Sequence, residues 1–271
     1  MKDITIIMPV HVIDDDVRPL IGKAVESVAA CRKEYEEFGS LKLLVVCPES
    51  IRNEVLESVS DTDFEVIGHN GATDYCSQVN EGVKHVDTEY FAILEFDDTF
   101  NPKWFRQVHD YFYGNETISI FIPVNVVHDA NGENWDYGNV MALSPAFITD
   151  NEKDTDEIGI INSFRLEKMA LFNLTGAVFL KEDFVSAGGY KPSIKYAFNH
   201  ELLLRMTDRA FKMMVVPKEG YVHTVGRKGS MTAEEVSSSE TKKWFDLAAR
   251  EYAYTEDRGK TPSDVKEEEL K

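Results

Sequence analysis

Three carboxylates stand at the end of an apolar run, in YFAILEFDDTFNP (90–102). Alternate residues of an extended chain point to the same side, so Glu95 and Asp97 would share one face, and Asp98 can turn toward the same point. Grouped oxygen ligands of this kind suit Mg²⁺ or Mn²⁺. A strand that ends in a solvated polar turn would give the same letters, so the motif alone leaves two interpretations open.

The position of this motif among the predicted elements favours a binding site. Four apolar runs rich in β-branched residues predict strands, at 4–10, 41–47, 64–68 and 90–96. Helical patterns lie between them, at about 17–38, 51–59 and 74–86. This alternation predicts an α/β fold, with a mostly parallel central sheet flanked by helices. Ligands bind beyond the carboxyl ends of strands in such sheets, which is where the acidic motif lies.

The pattern changes in the rest of the chain. A helix (102–113) and a strand (118–127) precede a long stretch without regular pattern (129–159), and loops of that length are often functional. Further segments are expected at 172–184, 199–211, 212–217 and, as a last helix, 233–254. We expect one domain over 1–254, with a first half (1–100), a second half (101–231) and a C-terminal helix (232–254), followed by a loose charged tail (255–271).

Composition limits the classes of partner. The chain has 271 residues, with 29 basic and 48 acidic side chains and a net charge of -19, which argues against general nucleic-acid binding. Three cysteines without metal-binding spacing suggest buried thiols and a reducing compartment. No apolar run approaches the length of a membrane span, and no signal peptide is visible, so the expected location is the cytoplasm. The oligomeric state is not indicated.

Several motifs in register resemble glycosyltransferase family 2, which has the GT-A fold. They are ITIIMPVH, HNGATDYCSQVNEGV, LEFDDTFNP, LTGAVFLKEDFVSAGGY and HELLLRM, spread over roughly residues 3–231. The resemblance implies a metal-dependent, inverting glycosyltransferase that moves a sugar from a nucleotide-diphospho-sugar to a hydroxyl acceptor. The short acidic build is also similar to glycosyltransferases encoded by tailed phages. Neither the sugar, the base nor the acceptor is indicated.

The chain departs from the family at three places. VVCPES leaves only Glu49 and Ser50 where an acidic pair is usual, Glu95 replaces an aspartate, and His200-Glu201 stands where the family usually has Glu-Asp. These changes keep open a catalytically silent sugar-nucleotide-binding or structural protein. A sugar-phosphate nucleotidyltransferase is less favoured, because MPVHVIDDDVRP lacks a glycine-rich signature with a basic residue.

The resemblance also implies roles for the acidic residues and for a late histidine. Asp97 would be the main ligand of Mn²⁺ or Mg²⁺, Asp98 would assist, and Glu95 would face the ribose. His223 would be a further metal ligand, although a structural histidine is an equal alternative.

An inverting transfer needs a base for the acceptor hydroxyl. Glu201 is the first candidate, and a glutamate that only stabilises the first turn of a helix is the alternative. His200 is a second candidate, because neutral imidazole can accept a proton near physiological pH.

The remaining expected contacts concern the two substrates. The nucleotide would meet Pro9, Val10, His11, Glu49, Gln78 and Asn80, and its diphosphate would be covered by Arg227 and Lys228 with a hydrogen bond from Ser230. Thr175 and Gly176 would border the acceptor, with Trp135 and Tyr137 in a lid formed by 129–159. A polar helix face is the alternative for Gln78 and Asn80, and an ordinary charged surface is the alternative for Arg227 and Lys228.

Overall fold

The structure is a computed structural model. It describes residues 2–59, 63–129, 131–144, 159–161, 166, 172–194, 196–226, 242–246 and 248. Every structural statement below refers to these residues.

The first half of the chain forms a four-stranded parallel unit. Its strands are β1 (Ile4–Pro9), β2 (Leu41–Pro48), β3 (Phe64–His69) and β4 (Tyr90–Ile93), in the spatial order β3-β2-β1-β4. The connecting helices are α1 (Arg18–Tyr35), α2 (Arg52–Ser58) and α3 (Tyr75–His85), with a short 3-10 helix, Glu49–Ile51, before α2. These elements confirm the predicted alternation to within a few residues.

The sheet is buried on both faces, which explains why its strands are continuous apolar runs. Side chains of β1 alternate between the two sides: Ile4, Ile6 and Met8 belong to the core under α1, and Ile7 belongs to the core under α3. Burying such a side chain stabilises the fold by about 1.5–3 kcal/mol. The strands are therefore held between two apolar cores, one on each face of the sheet.

The second half extends the same sheet. Its strands are β5 (Thr99–Phe100), β6 (Ile118–His128), β7 (Asn134–Gly138), β8 (Ile160–Ile161), β9 (Val178–Leu180) and β10 (Lys212–Thr224). Its helices are α4 (Trp104–Phe112), α5 (Lys181–Ala187) and α6 (Phe198–Asp208), with a short 3-10 helix at Val140–Leu143.

The strand order continues from β4 through β9, β6 and β10 to β5. β9 runs antiparallel to both β4 and β6, whereas β10 runs parallel to β6. β7 pairs with β6, and β8 pairs with β10. The carboxyl ends of β4, β6 and β10 therefore meet at one edge of the sheet.

Two elements differ from the sequence-based predictions. The fourth strand ends at Ile93 instead of residue 96, because the chain turns there and Asp98 N–H donates to the Glu95 carbonyl. The stretch 129–159 contains a strand, β7, and a 3-10 helix that the sequence pattern did not reveal. Residues 145–158 of that stretch lie outside the described part of the chain.

The C-terminal predictions are only partly covered. Residues 242–246 and 248 are helical, inside the helix predicted for 233–254. The predicted tail lies outside the described residues. No helix in the described ranges is long and apolar enough to cross a membrane.

Candidate active site

The acidic motif forms a turn whose side chains alternate between solvent and core. Glu95 and Asp97 are half-buried, whereas Phe96 and Asp98 are buried. Glu95 N–H donates to the Tyr221 hydroxyl at 2.9 Å, so a residue of β10 holds the turn. The extended strand ends at Ile93, so the expected shared face of Glu95 and Asp97 stays a prediction, whereas the side chain of the buried Asp98 has defined contacts.

Asp98 holds His223 in place. Asp98 Oδ2 lies 2.9 Å from His223 Nδ1, and Asp98 Oδ1 accepts the N–H of Thr224 at 2.8 Å. An ionised carboxylate can only accept, so the proton sits on Nδ1, and Nε2 is the nitrogen that can bind a metal. Burial alone would lower the pKa of His223, but the charge and hydrogen bond of Asp98 dominate and raise the pKa to about 9. The imidazole is therefore protonated at neutral pH, and binding of a metal at Nε2 would release that proton.

The donor set fits a divalent cation that the substrate helps to bind. Asp97 offers a half-buried carboxylate, and its charge acts on His223, which offers Nε2. Within the described ranges no group of three or more His, Cys, Asp or Glu side chains could hold a metal by itself. Two protein ligands are sufficient where phosphate oxygens of a bound substrate complete the coordination. Both oxygens of Asp98 already have partners, so its metal-ligand role stays a prediction, and its contacts favour a supporting one.

The end of β1 presents backbone and ring groups at the same edge. Pro9 and Val10 are buried, and His11 is exposed with its ring 5.5 Å from that of Phe96. Gln78 is buried in α3 and donates from Nε2 to the Val10 carbonyl at 3.1 Å. Gln78 therefore fixes the backbone at this point, and contact with a nucleotide stays a prediction for all four residues.

Glu49 lies over the end of β3. A Cβ added to Gly68 would lie 1.9 Å from Glu49 Oε2 and 2.8 Å from Arg52 Cδ, so both side chains would have to move to make room for it. The close approach keeps an exposed acidic group near the carboxyl ends of β2 and β3. This position is consistent with the expected nucleobase contact, which stays a prediction.

Asn80 connects α3 to the turn after α5. Its Nδ2 donates to the Tyr190 carbonyl at 2.7 Å, and its Oδ1 accepts the Tyr190 N–H at 2.9 Å. Both ends of the amide are thus used on backbone. The structure places Asn80 in a clamp between two elements, which is the structural alternative to a nucleotide contact.

Glu201 lies in a buried ion-pair cluster. Its carboxylate is 0% exposed and accepts from Arg205 Nε and Nη2, both at 2.9 Å, while Lys191 Nζ lies 2.9 Å from Oε1. Burial would raise the pKa of Glu201, but hydrogen bonds and charges from Arg205 and Lys191 outweigh it and lower the pKa. A lowered pKa and a closed environment are unfavourable for a base that must reach an acceptor.

Arg205 extends this cluster to the turn after α5. Its guanidinium donates to the carbonyls of Ala187 and Gly189, the second at 2.6 Å. Together with the Asn80 clamp, these bonds join α3, the turn and α6. The contacts of Glu201 thus give it a structural role, and its catalytic role stays a prediction.

His200, the second candidate base, is also buried. It is 2% exposed, with its ring 5.3 Å from that of Phe245, and burial lowers its pKa to about 4. The imidazole is therefore neutral at physiological pH, but its basicity is low. Its base role likewise stays a prediction.

The turn expected to border the acceptor packs against Tyr221. Gly176 has φ +76°, and a Cβ there would lie 2.4 Å from Tyr221 Cδ2. The Trp104 indole N–H donates to the Gly176 carbonyl at 2.9 Å, and Thr175 is bound to Asn173 Oδ1 through both its N–H and its hydroxyl. Tyr221 contacts both this turn and Glu95 of the acidic motif, so the turn lies beside the motif.

Other predicted site residues can be placed only in part. Tyr137 is exposed on β7, and Trp135 lies on the same strand. Arg227, Lys228 and Ser230 lie outside the described residues, so their predicted phosphate contacts stay predictions.

Sequence analysis missed Tyr221. The residue is 0% exposed and positions both the acidic motif and the Gly176 turn. A sequence signal existed, because Tyr221 and His223 are two residues apart in an extended segment and therefore share a face.

Comparisons with known proteins agree with this architecture. The family model described as glycosyl transferase family 2 matches residues 5–174. No curated protein sequence matches the chain. Structural similarity extends to solved glycosyltransferases at low sequence identity, and it shows the fold alone.

Three of these structures illustrate the similarity. S. aureus TarS 1-349 in complex with UDP-GlcNAc has a TM-score of 0.62 and 12% identity, over 95% of this chain and 69% of that chain. The mannosyltransferase PcManGT from Pyrobaculum calidifontis, in complex with GDP-Man and Mn2+, has a TM-score of 0.60 and 14% identity. The match covers 91% of this chain and 63% of that chain. GalNAc-T7 with UDP, GalNAc and Mn2+ has a TM-score of 0.61 and 14% identity, over 93% of this chain but 48% of its own.

The parallel sheet, the acidic turn at its carboxyl edge and the family match over more than half of the chain agree with one another. The chain belongs to glycosyl transferase family 2, and it has the GT-A fold of a glycosyltransferase.

Proposed function

We propose that this glycosyltransferase is metal-dependent and inverting, and that its donor is a nucleotide-diphospho-sugar. The observation that carries the proposal is His223, whose Nδ1 is held by the buried Asp98 and whose pKa is raised by the nearby charge of Asp97. A carboxylate and an oriented imidazole at the carboxyl edge of the sheet form a partial coordination shell. Such a shell is completed by the phosphates of a donor.

The donor set favours Mn²⁺ over Mg²⁺. Mg²⁺ prefers an all-oxygen octahedral shell, whereas an imidazole ligand shifts preference toward transition metals. PcManGT and GalNAc-T7 were both crystallised with Mn2+ and a nucleotide, which supports the same choice. When bound, the cation would neutralise charge that develops on the leaving diphosphate.

The chain's own residues would orient the two substrates. Glu95, held through its N–H by Tyr221, would face the ribose, while Glu49 over Gly68 would meet the base. Arg227 and Lys228 would cover the diphosphate. The Gly176 turn would border the acceptor, whose hydroxyl oxygen attacks the anomeric carbon from the side opposite the diphosphate.

The two halves of the domain would bind different substrates. Residues 1–100 would bind the nucleotide and 101–231 the acceptor, with 232–254 as a C-terminal helix and 255–271 as a charged tail. The cytoplasmic location stays a prediction from the sequence.

A binding experiment tests the proposal directly. Calorimetry with UDP-GlcNAc, UDP-glucose and GDP-mannose, each with and without Mn²⁺, should show one donor that binds only with the metal. Asp97→Ala should lose this binding while its melting temperature stays within a few degrees of wild type, and Asp110→Asn on α4 is the control. If no donor shows metal-dependent binding, the proposal is wrong.

A silent protein would give a different result. The buried ion pairs of Glu201 keep this alternative open, because they are unfavourable for a catalytic base at this position. Metal-dependent binding without release of nucleoside diphosphate, with water or with any acceptor, would favour it.

A further inference from the structure

The proposed transfer needs a carboxylate that can reach the acceptor hydroxyl. Glu201 is enclosed by Arg205 and Lys191, and Asp98 is bound to His223. In the proposed function Asp97 would bind the metal, and a metal-bound carboxylate is a poor base for the acceptor hydroxyl. These contacts disfavour all three residues as the base and favour a more accessible carboxylate near the same edge of the sheet.

The strand register places a third aspartate, Asp136, in line with His223. On β6, Val127 pairs with His223 of β10 on one side and with Asp136 of β7 on the other. Residues directly opposite one another in neighbouring strands point to the same face. Asp136 and His223 therefore point to one face of the sheet, and Asp98 contacts His223 from the far side.

The separation in this row matches what an inverting transfer requires. Two strand spacings put Asp136 about 10 Å from His223. From metal to base, the path crosses a metal–oxygen bond of about 2 Å, the bonds from phosphate to the anomeric carbon, an attack distance of about 3 Å and a hydrogen bond of about 3 Å. The three lengths given add up to about 8 Å before the bonds from phosphate to the anomeric carbon are counted. A base two strands from His223 lies at a distance of this order.

The carboxylate of Asp136 is accessible. The residue is exposed, and Oδ1 accepts the N–H of Tyr137 at 2.7 Å, which orients the group. In the part of the chain that the structure describes, Oδ2 has no hydrogen-bond partner. Glu201 differs in both respects, because it is fully buried and both of its oxygens are paired with cations.

The strand that carries Asp136 is fixed to the acceptor turn. Asn139, at the end of β7 with φ 66°, donates to the carbonyls of Pro123 and Asn173 at 2.9 Å each and accepts the Asn173 N–H at 3.0 Å. Asn173 in turn holds Thr175. Asp136 therefore lies on β7, and hydrogen bonds connect the end of β7 to the Thr175–Gly176 turn that is expected to border the acceptor.

We propose that Asp136 is the catalytic base of this glycosyltransferase, an inference that rests on the function proposed above. The acceptor oxygen forms a bond to the anomeric carbon as its proton passes to Asp136 Oδ2. The bond from the anomeric carbon to the diphosphate breaks, and its electron pair leaves with the nucleoside diphosphate. Protonated Asp136 then returns the proton to solvent.

The test uses the donor that the wild-type chain binds and water as the acceptor. Release of nucleoside diphosphate from UDP-GlcNAc or GDP-mannose with Mn²⁺ is measured for wild type, Asp136→Asn and Asp136→Ala. We expect kcat to fall about 10²–10⁴-fold in both variants, the usual contribution of a base. The donor Kd should stay within twofold, and formate should restore part of the activity of Asp136→Ala.

A matched control lies in the same hairpin. Glu133 is exposed and precedes β7, and Glu133→Gln should keep wild-type kcat. If Asp136→Asn keeps kcat within threefold of wild type, the inference is wrong while the proposed function stands. If wild type binds no donor with Mn²⁺, the proposed function fails, and the base assignment fails with it.

Discussion

Replacing Glu201 by glutamine separates a structural role of this residue from a catalytic one. The wild-type carboxylate is 0% exposed and forms two 2.9 Å bonds to Arg205 and one 2.9 Å ion pair to Lys191. Glutamine keeps the shape but removes the charge, and its NH₂ group faces the donors of Arg205. Arg205, with a side chain only 4% exposed, loses the carboxylate with which it is paired.

The magnitude follows from this loss. Removing one partner of a buried pair costs about 3–5 kcal/mol. Lys191 can turn toward water, because a third of its side chain is already exposed, so we take the lower end, about 3 kcal/mol. At about 2–4 °C per kcal/mol for a chain of this size, the melting temperature should fall by about 6–12 °C.

The assay has two readouts on the same preparations. Thermal and urea unfolding measure the free energy of unfolding, and nucleoside diphosphate release measures turnover at a temperature where both proteins are folded. Glu182→Gln is the control, since Glu182 is exposed on α5 and should change neither readout. The double variant Glu201→Leu/Arg205→Met should regain part of the lost stability, because it removes the buried Arg205 charge together with its Glu201 partner.

One pattern would refute this reasoning. If Glu201→Gln keeps the wild-type melting temperature but loses turnover more than 10²-fold, Glu201 is the base. In that case the buried ion pair must open during the reaction. A loss of stability with turnover retained is the outcome that the structure favours.

Three further predictions concern buried polar groups. Tyr221→Phe removes the acceptor of the Glu95 N–H, so metal-dependent donor affinity measured by calorimetry should fall about fivefold, the equivalent of about 1 kcal/mol; unchanged affinity would contradict a positioning role. Both polar side-chain atoms of Asn125 are buried without a hydrogen-bond partner in the described ranges. Asn125→Val should therefore raise the free energy of unfolding, measured in urea, by about 1 kcal/mol. A decrease would instead show that the amide has a partner such as water. Burial lowers the pKa of His200 to about 4, whereas the pKa in the unfolded chain is about 6.5. Between these two pH values the unfolded chain binds a proton that the folded chain does not. The free energy of unfolding of wild type should therefore fall by up to about 3 kcal/mol as the pH is lowered from 6.5 to 4. His200→Leu should remove that part of the pH dependence, and an unchanged slope would show that His200 is not its source.

The four parallel strands were predictable, because burial on both faces requires continuous apolar runs such as ITIIMP and LKLLVVCP. β7 was not, because NWDYG alternates polar and aromatic residues over only five positions, beside turn-forming Asn and Gly residues, and the strand is defined by its pairing with β6. The end of β4 was predicted three residues too late, since LEF is apolar enough to continue a strand but Glu95 bonds to Tyr221 instead.

By itself, the sequence determined the chemical groups of the site and the edge of the sheet where some of them lie. It placed Glu95, Asp97 and Asp98 after a buried strand, and local periodicity is enough for that conclusion. Only the tertiary structure decided which groups act together. Asp98 meets His223 across 125 positions of the chain, Asp136 joins their row through strand register, and Glu201 is enclosed by Lys191 and Arg205. Such contacts depend on strand order and helix packing, which no local pattern of residues specifies.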